Sequence, residues 1–373
     1  MSEVRFDSPL HAAGATPFFS ICIPQYNRTP FLIEEMSWVA RQSFRDVEIV
    51  ISDDRSTDGL EQELEACLRD SGLSFIYRRQ ETNLRYDANL RTAIDMSRGR
   101  YCLLMGNDDR LTSAEALSEY HGLIERAGDI GVAITNFRDD STGEVVSRMP
   151  STRLHRGGPD FAAATFRDFA FVSGIVLDGP RARAESTDRW DGSEQYQMYL
   201  GSRIIASGGS FLSVARPLIT KDIRIPGQTA LLDVTDLAEV VPSVGGISER
   251  RVTLRFLAPL VTDAVAPYAD EAHTQALAER TMRQMLLITY PYWIFEHRRN
   301  RSRRFALEIC LGMRPRVSFA GFSPPLTRGA RLRLRVLYLA ASVTALLTPL
   351  VFFESAKHKL YRLVKADAFR SVT

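Results

Sequence analysis

The stretch VEIVISDDRSTDG (47–59) runs from five strand-like residues into Asp53-Asp54, and GRYCLLMGNDD (99–109) repeats the device, ending in Asn107-Asp108-Asp109. Acids at the carboxyl ends of strands in an open α/β sheet face the crevice where such sheets bind ligands. An oxygen-rich cluster there suits a divalent cation carrying a phosphorylated substrate. Mg²⁺ usually takes one or two carboxylates and lets phosphates and water fill its shell.

Around these two runs, strand patterns recur at 18–23, 47–51, 74–77, 101–105 and 131–137, and again at 171–177. Helical patterns fall near 30–42, 58–70, 86–97 and 113–126, with Thr57-Asp58-Gly59 and Thr112-Ser113 as capping signals. Alternation with short links predicts a parallel sheet covered by helices on both faces. Residues 138–170 are rich in Arg, Gly, Ser, Asp and Pro and read as a long loop. From about 230 onward helical periodicity dominates.

The chain has 373 residues, 45% apolar and 25% charged, an ordinary globular composition. Its net charge of +2 conceals an asymmetry. Residues 297–373 hold 16 Lys and Arg against 3 Asp and Glu, which is +13, and 1–296 therefore carry −11. An acidic body with a basic tail suggests that the tail meets an anionic surface. Cys22, Cys67, Cys102 and Cys310 lack a metal or redox spacing, and reduced thiols fit a cytosolic setting. The first residues, MSEVRFDSPLHAAGATP, lack the apolar run of a signal peptide.

Three motif loops follow predicted strands in order: Pro24-Gln25-Tyr26-Asn27, then Asp53-Asp54-Arg55-Ser56-Thr57-Asp58, then Asn83 through Asn89, before the acidic triplet at 107–109. On these residues the chain resembles the family 2 glycosyltransferases, and the Asn107-Asp108-Asp109 form is similar to O-antigen and exopolysaccharide sugar transferases, including abequosyl-type enzymes. The resemblance covers about residues 16–220. It implies a GT-A (Rossmann-like) α/β fold with a mostly parallel sheet flanked by helices, a nucleotide-diphosphate sugar donor and inversion at the anomeric carbon.

Carried over by position, Pro24, Tyr26, Asn27, Asp53, Asp54, Asn83, Asn89, Asn107 and Asp108 would bind the nucleotide sugar. Asp109, with Asp108 beside it, would hold Mg²⁺ or Mn²⁺. Asn107 stands where the triplet usually has an acid, and Leu84 where the family often has Gly. The base that takes the acceptor proton falls in Trp190-Asp191-Gly192-Ser193-Glu194-Gln195, with Glu194 the first choice and Asp191 the second. The competing reading makes Asp191 a helix cap and Glu194 part of a first turn. His121, His155 and His273 stand alone and read as structural.

The implied organisation is a flexible lead-in at 1–15, a glycosyltransferase domain at 16–225, a helical region at 226–297 and a basic membrane-associated tail at 298–373. The run VLYLAASVTALLTPLVFF (336–353) is 18 residues without charge, the lower limit for a membrane span. Arginines before it and Lys357, Lys359, Arg362 and Lys365 after it favour a helix that enters one leaflet. A core helix is the alternative. Tyr290-Pro291-Tyr292-Trp293 fits a membrane interface or an aromatic core cap equally.

Together these features imply an enzyme at the cytoplasmic face of the membrane, peripheral or monotopic. Its acceptor would be a lipid-linked glycan or surface polysaccharide, its surface partner anionic lipid, and nucleic acid is not a partner. A non-catalytic sugar-nucleotide scaffold is the alternative, supported by Asn107 and Gln195. A sugar-nucleotide pyrophosphorylase would need G-x-G-x-R where PQYNR stands.

Overall fold

The computed structural model describes residues 3–8, 16–227, 239–241 and 249–353. Lys357, Lys359, Arg362 and Lys365 lie outside them. The chain divides into two units, Met1–Gly157 with Asp168–Leu232, and Gly158–Arg167 with Asp233–Thr373.

In the first unit the elements run β1 (Glu3–Asp7), β2 (Phe19–Gln25), α1 (Thr29–Ala40), β3 (Val47–Asp53), α2 (Glu61–Asp70), β4 (Ser74–Arg79), α3 (Arg85–Met96), β5 (Tyr101–Leu104) and β6 (Arg110–Leu111). They continue α4 (Ala116–Ala127), β7 (Val132–Asp139), β8 (Val145–Val146) and β9 (Arg153–His155). After α5 (Pro159–Thr165), which belongs to the second unit, come β10 (Ile175–Asp178), α6 (Gly179–Ala184), α7 (Tyr196–Ala206) and β11 (Phe211–Lys221).

These strands make one 11-stranded sheet along β1-β4-β3-β2-β5-β10-β7-β11-β6, with β8 on β7 and β9 on β11. β4, β3, β2 and β5 are parallel. Their apolar residues are buried almost without alternation, as strands covered on both faces must be. Pro24 falls past the β2–β5 pairing, which covers Phe19–Cys22, so its missing N–H costs no bond to β5.

The sheet is mostly parallel in the half that carries the motif loops, as expected, and mixed beyond it: β10 runs antiparallel between β5 and β7. Gly174, with φ 79, turns the chain before that strand, so it begins at Ile175 and leaves Ser173 in the loop. The predicted loop at 138–170 holds β8, β9 and α5. Residues 3–7, read as part of a flexible lead-in, pair along β4 as an edge strand, where Phe6 stacks on Tyr77 with ring centroids 4.4 Å apart. The helix predicted from 58 starts at Glu61, and Asp58 instead accepts a 2.9 Å bond from Thr29 N at the start of α1. His121 packs against Phe18 and Phe44, as a structural histidine.

The second unit contains α5, a short hairpin (Glu239–Val241 with Glu249–Arg251), α8 (Leu257–Val265), α9 (Glu271–Gln284), α10 (Tyr290–Asn300), α11 (Arg303–Gly312), α12 (Pro315–Ser318) and α13 (Arg328–Leu347). His273 pairs with Asp160 at 2.9 Å within it. α13 packs on α9, α10 and α11, so described residues on either side of 298 share one core. The apolar run 336–353 is not one helix: α13 stops at Leu347, and Thr348, with ψ 129, leads into Pro349. No described helix is long and apolar enough to cross a membrane.

One face of α13 is buried through Leu334, Tyr338, Ala341, Ser342 and Ala345, so the core-helix alternative holds for half of its surface. The aromatic run splits likewise. Tyr290 is buried with its hydroxyl 2.8 Å from Ser342 Oγ, whereas Trp293 is 42% exposed. Arg298, counted above among the lipid-facing charges, is buried. Its guanidinium donates to Ala345 O and, at 2.8 Å, to Thr348 O, satisfying carbonyls at the α13 terminus. Arg298→Ala should therefore destabilise the second unit by about 1–3 kcal/mol, the cost of leaving buried polar groups unpaired. Denaturant unfolding measures it, and Arg298→Lys should recover only part, because an ammonium lacks the planar fork.

Candidate active site

Chain order along the sheet reverses at β2, which has β3 on one side and β5 on the other. That reversal opens a crevice at the strand C-termini. Gln25, wholly buried at the end of β2, spans it. Its backbone carbonyl accepts from Asp54 N at 2.8 Å and from Asn89 Nδ2 at 3.0 Å. Its side-chain oxygen accepts from Asn107 Nδ2 at 2.7 Å, and its amide nitrogen donates to Asn27 O at 2.6 Å and Thr29 Oγ1 at 3.2 Å. One residue thus ties the β2, β3 and β5 loops to α3.

Asp53 and Asp54 are buried braces within that frame. Asp53 accepts from Ser56 N at 2.6 Å and from the Tyr77 hydroxyl. Asp54 accepts from the backbone N–H groups of Leu84 and Arg85, the latter at 2.8 Å, and burial raises its pKa. Asn83 Oδ1 accepts a 3.2 Å bond from Arg85 N. The left-handed conformation falls on Arg85, φ 68, and not on Leu84, φ −93. Asn27, φ 51, donates its N–H to Ser56 Oγ at 2.7 Å and accepts from Thr57 N at 2.7 Å. Tyr26 beside it is 40% exposed.

Asp109 is buried at the end of the β5 loop. One oxygen accepts from Asp222 N at 2.9 Å, the other from the Ser173 hydroxyl. Burial, then the neighbouring charge of Asp108, pushes it up to about 8. Asp108 pairs with Arg28, and its carbonyl accepts from Ile223 N at 2.9 Å. A β-carbon on Gly106 would lie 3.1 Å from Asp109 Oδ2 and 3.4 Å from both Asp108 Oδ1 and Ser173 Oγ, so these oxygens converge beside Gly106 and a side chain there would press on the Asp109 carboxyl. Glu35 on α1 is buried with neither oxygen hydrogen-bonded among the described residues. Burial, then Asp109 and Asp108, raises its pKa far above the usual carboxylate range.

This surplus of carboxyl groups fits a small hard cation that takes two carboxylates from Asp108 and Asp109 and its other ligands from phosphate and water. Among the described residues, no group of three or more His, Cys, Asp or Glu is placed to cage an ion by itself.

Asp87, in the first turn of α3 and unremarked in the sequence, holds the second loop. It accepts from Glu194 N at 2.7 Å, Tyr196 N at 3.0 Å and Ser193 Oγ at 3.4 Å. This clamp keeps Glu194 at φ 58. The Glu194 carboxylate makes no hydrogen bond among the described residues. Burial first, then Asp87, against the opposing pull of Arg85, raises its pKa to about 7. Asp191 is tied to Arg91 by two bonds, at 2.6 and 2.8 Å.

A family model for glycosyl transferase family 2 matches residues 20–174. The amylovoran biosynthesis glycosyltransferase AmsB of Erwinia amylovora is 30% identical over 208 residues, 54% of this chain and 68% of that protein. The chain belongs to glycosyl transferase family 2. Abequosyltransferase RfbV of Salmonella typhimurium is 35% identical over 113 residues, 30% of this chain, and that match spans only 34% of the relative. The PGL/p-HBAD biosynthesis glycosyltransferases of mycobacteria are matched over 51% of their length. Among solved structures, S. aureus TarS 1–349 in complex with UDP superposes with a TM-score of 0.58 at 14% identity, over 95% of this chain and 91% of that one, and shares the fold.

Within this family 2 frame, sequence position located the loops but not Gln25, Asp87, Ser173, Lys221 or Asp222. The N–H of Asp222 and the hydroxyl of Ser173 hold Asp109, and Lys221 forms an ion pair with Asp222. The raised Glu194 has a consequence for stability. Its ordinary pKa is about 4.3. An acid raised on folding contributes stability below its unfolded pKa, and the contribution is lost as pH rises through the folded value. Glu194→Gln removes that loss. Its melting temperature should match wild type near pH 4 and exceed it increasingly up to pH 8, read by thermal unfolding across that range. The groups facing Glu194 are Asp87, Arg85 and Tyr86.

Proposed function

We propose that this family 2 protein transfers a sugar, with inversion, from a nucleotide-diphosphate donor to a glycan acceptor. The observation that carries the reading is the Glu194 carboxylate, free of hydrogen bonds among the described residues, its pKa raised to about 7 by burial, and clamped by Asp87 to the helix that Asp54 and Gln25 also hold. α3 therefore links the acidic crevice to the candidate base. A base poised near the working pH suits proton abstraction from a hydroxyl. Asp191, spent on Arg91, suits a structural role.

In the proposed reaction, Glu194 takes the acceptor hydroxyl proton as its oxygen bonds to the anomeric carbon. The bond from that carbon to the diphosphate oxygen breaks, and its electron pair leaves with the nucleoside diphosphate. Asp108 and Asp109 would hold Mg²⁺ or Mn²⁺, which would neutralise the leaving diphosphate. Arg28 and Lys221 are the cations nearest in charge to these acids. In this reading the exposed ring of Tyr26 would cover a nucleobase, and Pro24, Asn27, Asp53, Asp54, Asn83, Asn89 and Asn107 would shape the surroundings of base and ribose.

The acceptor class, a lipid-linked or surface-polysaccharide glycan, is inferred from what the relatives' names say they make. It brings with it work at the cytoplasmic face of a membrane. Family membership leaves the pyrophosphorylase alternative without support.

The test is turnover of purified protein against a panel of UDP-, GDP-, CDP- and dTDP-sugars with Mn²⁺ or Mg²⁺, counting donor hydrolysis as well as transfer. Glu194→Gln should lower turnover about 10²–10⁴-fold, the usual effect of losing a general base, with nucleotide affinity unchanged. Asp109→Ala should abolish the divalent-dependent rate. No turnover of any donor by wild type, with nucleotide still bound, would favour the scaffold. A large loss in Asp191→Asn alone would reverse the two acids.

A further inference from the structure

The outer face of α13 carries Leu332, Val336, Leu339, Val343 and Leu347, exposed by 64, 61, 59, 54 and 75%. At helical spacing these five side chains form one narrow stripe from Leu332 to Leu347 of the 20-residue helix. The helix cannot bury them by rolling. Its other face is fastened by Tyr338 Oη to Cys310 O at 2.6 Å, by Ser342 to Tyr290, and by Arg298 at its end. Val351 and Phe352, 77 and 65% exposed, extend the apolar character past the helix. A stripe of this kind is too continuous to be scattered surface leucines.

The charges beside it identify the occupant. Arg328, Arg331, Arg333 and Arg335 are all exposed in the first two turns, and α13 contains no acidic residue. Arg333 is paired with Glu279, but Arg328 and Arg335 have no ion pair or hydrogen bond among the described residues. By sequence, the 20 residues that follow the described chain hold five more Lys and Arg against two acids. A second copy packing stripe to stripe would bring no acid from α13 to Arg328 or Arg335. A surface with an apolar interior and anionic headgroups satisfies both parts, and an amphipathic helix of this composition lies in the interface plane.

We propose that α13 is an in-plane membrane-docking helix. Its stripe enters the acyl boundary of an anionic bilayer, and Arg328 and Arg335 meet lipid phosphate. This deepens the membrane part of the function proposed above. Its test reads binding rather than turnover, so failure of one does not imply failure of the other.

The experiment is co-sedimentation of the full chain with phosphatidylcholine vesicles, with and without about 30% phosphatidylglycerol. Wild type should partition to the anionic vesicles and only weakly to the neutral ones. Leu339→Glu and, as a milder change, Val336→Ser with Val343→Ser should each lower that partition about tenfold or more, because they remove apolar burial. Arg328→Gln with Arg335→Gln should lower it only on anionic vesicles and reduce its salt sensitivity. All variants should keep the wild-type melting temperature and nucleotide binding, since the changed side chains touch solvent. The proposal is overturned if wild type ignores anionic vesicles or if the folded stripe variants bind them equally. It is also overturned if sedimentation velocity shows that the stripe holds a dimer while vesicle binding is unaltered.

Discussion

The crevice depends on Gln25. Parallel strands diverge at a reversal of strand order, and something must span the gap there without filling it. Gln25 does so with both halves of its side-chain amide and with its own carbonyl, reaching Asn107, Asn27 and Thr29 on one side and Asp54 and Asn89 on the other. A side-chain amide offers an acceptor oxygen and two N–H donors without changing protonation state. The bonds to Asn107, Thr29 and Asn89 are buried, where an unmade hydrogen bond is costly. The acidic loop, the Asp53-Asp54 brace and α3 inherit their positions from it.

Backbone conformation follows the same plan. Among the described residues, the non-glycine positions with positive φ are Asn27, Arg28, Arg55, Arg85, Glu194 and Asp222. All six lie in the loops at this crevice or in the Asp87-clamped loop. Such conformations persist only where surroundings over-determine them, and they gather where side chains must be aimed. Asp54 holds Arg85, Asp87 holds Glu194, and Asp109 holds Asp222. In each case a buried carboxylate accepts the N–H of the strained residue. Burial raises the pKa of all three acids, and the N–H bonds they accept pull the other way.

What was legible in the sequence was whatever is local. The apolar runs that became β2, β3, β4, β5 and β7 and the helices between them stand within two or three residues of where periodicity puts them. The three motif loops sit where strands must end. What was hidden depends on contacts distant in sequence. The antiparallel entry of β10 is decided by where the chain returns after α5, which no local pattern records. Gln25 looked like a spacer because its partners lie up to 82 residues away. Asp87 looked like an ordinary helix residue until Glu194, 107 positions on, came to rest on it. The uncharged run 336–353 hid its break because Thr348-Pro349 interrupts hydrogen bonding, not hydropathy.

The proposed reaction is a single displacement at the anomeric carbon, with one carboxylate, Glu194, acting on the acceptor and no covalent intermediate on the protein. The anomeric configuration of the first-formed product measures this most directly. Proton NMR of an α-linked donor turned over by wild-type protein, recorded before mutarotation when water is the acceptor, should show the β anomer first. Initial formation of the α anomer would contradict a single displacement and remove Glu194 from the role given to it.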